Sequence, residues 1–94
     1  MLRNEDKALL RKAGHSIDKP YLLGKGEVDA TFMAQLDAAL NAKELIKVKL
    51  LNNSGLDIHD VAAQICLNLH CETVFIIGHT ALLYRQSKKR IYLK

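Results

Sequence analysis

Apolar and polar positions recur with two different periods along this chain, and each change of period marks an element. Asn4 can cap a first helix, with Glu5 and Asp6 in its first turn, Arg11 and Lys12 in its last, and Gly14 ending it. That charge order suits the helix dipole. Leu9, Leu10 and Ala13 are its expected buried stripe. Asp18-Lys19-Pro20 breaks the chain, and Tyr21-Leu22-Leu23 reads as a short strand. Asp29 caps a second helix, in which Phe32, Met33, Leu36, Ala39 and Leu40 return at helical spacing.

From Glu44 to Leu50 the period is two: Ile46, Val48 and Leu50 point one way, Leu45, Lys47 and Lys49 the other. Asn52-Asn53-Ser54-Gly55 is a loop. A third helix from about Asp57 turns Ile58, Val61, Ala62, Ile65 and Leu69 to the core. Thr73 to Ile77 and Ala81 to Arg85 are strands, joined by Gly78-His79-Thr80, a connection short enough for a hairpin. After the first helix the order is therefore β-α-β-α-β-β. It predicts an α/β two-layer sandwich, a four-stranded mixed sheet with helices packed on one face. The other face is expected to stay partly open, as the lysines at 47 and 49 suggest.

The 94 residues are 49% hydrophobic, enough for one packed domain and too apolar for a disordered chain. A basic tail, residues 86–94, is expected to be loosely held. Fourteen Lys and Arg against ten Asp and Glu give a net charge of +4, which favours an anionic partner without requiring one. No apolar run reaches the ~18 residues of a membrane span, and Met1 to Lys12 has no signal-peptide core. A cytoplasmic protein with no membrane partner is expected. There Cys66 and Cys71 would be free thiols, and with His70 they do not make a familiar zinc spacing. No metal or other cofactor is anticipated.

The segment Leu23-Gly24-Lys25-Gly26-Glu27-Val28-Asp29 joins a strand to a helix through a glycine-bracketed lysine. A helix start offers unpaired N–H groups to an anion, usually phosphate, and Lys25 adds a full charge there. A plain strand-to-helix turn uses the same residues. Ser16, Ser54 and Ser87 lie in loops without a nucleophile-elbow sequence, and the four histidines are scattered. The loop also lacks the spacing of a nucleotide hydrolase. The expectation is not an enzyme.

Taken in order, Leu9-Leu10-Arg11-Lys12-Ala13-Gly14-His15, Lys19-Pro20, Gly24-Lys25-Gly26, Glu44-Leu45-Ile46-Lys47-Val48-Lys49 and Ile77-Gly78-His79-Thr80-Ala81-Leu82-Leu83-Tyr84-Arg85 resemble a CRM domain. The closer resemblance is to the stand-alone bacterial YhbY-like proteins, and it covers nearly the whole chain. It implies a fold similar to the C-terminal domain of translation initiation factor three. It also implies an RNA-binding role on large-subunit ribosomal precursors and a G-x-x-G loop akin to that of KH domains, which clamps a nucleic-acid backbone. Here the fourth loop position is Glu27, a departure that predicts a weakened or rotated phosphate site.

The candidate RNA-binding residues are Arg11, Lys12, His15, Lys19, Gly24, Lys25, Gly26, Lys47, Lys49 and Arg85, with the Lys88-Lys89-Arg90 tail ranked lower. Each cation can equally be solvated surface. His15 can cap the first helix or meet a phosphate. Tyr84 can stack on a base but is expected in the core. The expected partner is ribosomal RNA in large-subunit precursors, bound by a monomer acting in ribosome assembly. A module docking on a ribosomal protein and a duplex DNA binder are the alternatives.

Overall fold

The computed structural model describes residues 2–24, 28–51 and 55–93. Lys25, Gly26 and Glu27 of the glycine loop, and Asn52, Asn53 and Ser54 of the later loop, lie outside the described residues. The elements follow the expected order: α1 (Asn4–Gly14), β1 (Tyr21–Leu23), α2 (Ala30–Lys43), β2 (Leu45–Leu50), α3 (Ile58–Leu69), β3 (Glu72–Ile77) and β4 (Thr80–Tyr84).

The four strands form one mixed sheet in the order β1-β2-β4-β3. β1 runs parallel to β2, and β4 is antiparallel to both β2 and β3. Asp29 and Asp57 cap α2 and α3 as predicted: their carboxylates accept the N–H groups of Phe32 at 2.8 Å and His59 at 2.9 Å. Asn4 does not cap α1. Arg3 holds that position, and its N–H donates to the Asp6 carboxylate at 3.1 Å.

Period two in β2 divides the interior. Ile46, Val48 and Leu50 pack with Leu36 and Leu40 of α2 and with Val61 and Ile65 of α3. Leu45 points to the other face, where it meets Leu82, Tyr84 and Leu10 of α1. The expectation of helices on one face thus holds for α2 and α3 and is corrected by α1. Leu10 is fully buried, whereas its neighbour Leu9 remains 49% exposed, so α1 presents a narrow stripe. Gly14 makes the approach possible, because a Cβ there would stand 2.7 Å from a Leu82 methyl carbon. Gly78 opens the β3–β4 hairpin at φ +56°, the glycine-favouring conformation a two-residue turn needs.

The tail is held, contrary to expectation. Glu44 is the C-cap of α2, fully buried and at φ +67°. Its carboxylate accepts the N–H and hydroxyl of Ser87 at 2.7 and 2.6 Å and the N–H of Ile91 at 2.8 Å. A buried carboxylate satisfied by amides from residues 87 to 91 is a tether between the end of α2 and the C-terminal segment.

Candidate functional site

Strand register decides which basic residues share a surface. Lys47 stands opposite Leu82 and Lys49 opposite Thr80, so both lysines lie on the α1 side of the sheet. Leu22 pairs with Lys49 from β1 and points the same way. α1 covers only the half of this face around Leu45, Leu82 and Tyr84. The half nearer the C-terminal ends of β1 and β2 stays open, which agrees with the partly open face anticipated.

β3 supplies the apolar part of that open half through a bulge. Thr73 pairs with Leu83, but Phe75 pairs with Leu82, leaving Val74 as the extra residue. The extra residue reverses the alternation beyond it, so Phe75 and Ile77 turn to the α1 side and Ile76 to the main core. Bulges commonly re-aim side chains in this way. Ile77 is left 66% exposed and Leu22 55%.

A cleft of about 240 Å³ opens between the C-terminal half of α1 and the β3–β4 hairpin. Arg11, His15 and Lys47 rim it, and Phe75, Ile77, Leu82 and Thr80 line it. The Arg11 guanidinium lies 3.8 Å from the Phe75 ring centroid, a cation–π contact. Lys47 donates to the carbonyl of Ile17 at 3.2 Å, which ties the chain after α1 to β2. Among the described residues neither Arg11, Lys47 nor Lys49 has an ion-pair partner.

The remaining candidates are placed less uniformly. Lys12 and Lys19 are exposed and do not line the cleft. Gly24 ends β1 at the same end of the sheet as the hairpin turn, since Leu23 pairs with Leu50 and Leu50 donates to the His79 carbonyl at 2.8 Å. Gly24 therefore sits beside the open half-face. Gly24 itself keeps a negative φ, and a Cβ would meet Leu51 at an ordinary 3.5 Å. Lys25 and Gly26 are outside the described residues.

Arg85 has a different task from the one expected. Its guanidinium donates to the Asp37 carboxylate at 2.8 Å, the Leu69 carbonyl at 2.7 Å, the Asp37 carbonyl at 3.0 Å and the Asn41 side chain at 2.9 Å. These bonds lock the end of β4 to α2 and α3, leaving little of the guanidinium for a phosphate. Tyr84 is buried in the α1 cluster with its hydroxyl unpartnered, so it offers no stacking surface. Cys66 and Cys71 face each other across 3.3 Å. The Cys71 thiol donates to Cys66 and holds the Cys66 thiol below its ordinary range, against the opposing effect of burial. Sequence reasoning missed Phe75, Ile77 and Leu22 as surface groups. Period two marks Leu22 once β1 is registered against β2, but the bulge leaves no such mark.

Fold and surface together define a class: a small α/β protein with a mixed sheet whose open half-face gathers cations around an apolar cleft. Residues 2–85 match the CRS1 / YhbY (CRM) domain, and the chain belongs to that family. It is 37% identical over 89 residues to the "Probable RNA-binding protein YqeI" of Bacillus subtilis, covering 95% of this chain and 93% of that one. It is 31% identical over 88 residues to the "Probable RNA-binding protein PA4753" of Pseudomonas aeruginosa, covering 94% and 85%. The solution structure of SAV1595 from Staphylococcus aureus superposes with a TM-score of 0.81 at 33% identity, over 100% of this chain and 98% of that chain.

Proposed function

We propose that this protein binds RNA, specifically ribosomal RNA in precursors of the large subunit, as a cytoplasmic, non-enzymatic assembly factor. The observation that carries the reading is the open half-face, where Arg11, Lys47 and Lys49 lie together without ion-pair partners among the described residues. His15 stands at the same cleft. Unpaired cations on one surface are what a phosphodiester strand neutralises, releasing counterions as it binds. Relatives along nearly the whole chain carry RNA-binding names, which supports the same class. Lys25 and the amides preceding α2 would extend the contact from the sheet end, clamping the backbone as a KH-type loop does. Lys12 and Lys19 would add peripheral charge.

The function is tested by titrating a large-subunit ribosomal RNA fragment at several salt concentrations, with duplex DNA as competitor. The expected result is binding that falls steeply with salt, by roughly 0.7–0.9 in log–log slope for each phosphate neutralised, and that excess DNA does not displace. Binding that DNA removes as readily as unlabelled RNA would overturn it. No RNA binding at low salt would do the same.

A further inference from the structure

The cleft is built for more than phosphate. A phosphate needs cations and amide N–H groups, yet the cleft wall is Phe75, Ile77 and Leu82. Ile77 is 66% exposed because the β3 bulge turns it outward, and apolar surface held in water asks for an apolar partner. Arg11 rests on Phe75 at 3.8 Å, which fixes a flat guanidinium beside that wall. Arg11 is itself exposed. Unpaired bases stack on aromatic rings and on guanidinium planes. At about 240 Å³ the space is below the ~300–1,000 Å³ of drug-sized sites, the scale of a single ring system.

We infer that this cleft takes one unstacked base of a single-stranded RNA segment, stacked against Arg11 and Ile77, while the flanking phosphates meet Lys47 and Lys49. The inference rests on the RNA-binding reading and deepens it. The protein would then select unpaired loops over A-form helices, because a base within a duplex cannot enter the cleft.

The test compares an unstructured ribo-oligonucleotide with the same ribose-phosphate strand lacking every base, and with a blunt-ended RNA duplex of equal charge. The parent is expected to prefer the intact strand to the baseless one by about tenfold or more, given typical stacking strengths. Arg11→Lys keeps the charge and removes the plane; its preference should fall severalfold while the salt slope stays unchanged. Ile77→Ala, at an exposed position, should reduce the preference without loss of thermal stability. Equal binding of intact and baseless strands by the parent would overturn the base pocket and leave RNA binding by the backbone intact. Preference for the duplex over the single strand would also overturn it. Failure of all three ligands to bind would instead remove the RNA reading on which it rests.

Discussion

Replacing Glu44 with alanine is expected to lower the stability of the fold by about 3 kcal/mol and its thermal midpoint by roughly 10–25 °C. The carboxylate is fully buried and accepts three bonds of 2.6–2.8 Å from Ser87 and Ile91. Without it those donors must detach with the tail and find water. Glu44→Gly separates two contributions, since both variants lose the carboxylate but glycine relieves the φ of +67°. It should recover about 1 kcal/mol relative to alanine.

The pH dependence has a definite sign. Burial pushes the Glu44 carboxyl up, but the Ser87 hydroxyl and the amides of Ser87, Ile91 and Tyr92 outweigh it and hold it below the ordinary 4.5. A depressed acid contributes stability that is fully present above its unfolded pKa and is lost as pH falls through the folded one. Acid should therefore release the tail in the parent, and Glu44→Ala should lack that part of the pH dependence. Urea melts from pH 7 down to pH 3 measure both. A parent and variant with the same acid profile would show that the tether does not form.

Neutralising Arg11, Lys47 and Lys49 together by glutamine should weaken binding to ribosomal RNA by roughly 10²–10³-fold at moderate salt. That is about tenfold for each charge-assisted contact. The salt slope should fall by about two to three. Lys49 is exposed, and among the described residues it pairs only through its strand backbone. Lys47 gives up one bond to Ile17 and Arg11 its contact with Phe75, so the folding cost stays near ~2 kcal/mol. Thermal melts beside the titration separate lost affinity from lost fold. An unchanged slope would move the phosphate path off this face.

The parts legible in the sequence were those with local causes. Asp29 and Asp57 each precede an apolar helical repeat, and each caps its helix. The alternation of Lys47 and Lys49 with Ile46 and Val48 announced a strand with one wetter face, and that face carries the cleft. The parts that were not legible depend on distant partners. Leu9 and Leu10 are both apolar, so the pattern alone did not reveal that only Leu10 would be buried, against the face opposite α2 and α3. Glu44 looked like the first residue of a strand, and its partners lie more than forty residues on. Arg85 looked like a free cation for the same reason, with Asp37 and Asn41 reaching it from α2. The Val74 bulge left no local trace, because Thr73 to Ile77 is apolar or β-branched at every position and fits either face.

The central claim is that RNA meets the α1 side of the sheet at its open half. Backbone amide NMR of the labelled protein, titrated with the single-stranded ribo-oligonucleotide, tests this most directly. The predicted result is a footprint over Arg11, His15, Lys47, Lys49, Ile77 and Thr80, continuing into Gly24 at the sheet end. A footprint on the outer surfaces of α2 and α3, with those amides undisturbed, would contradict it.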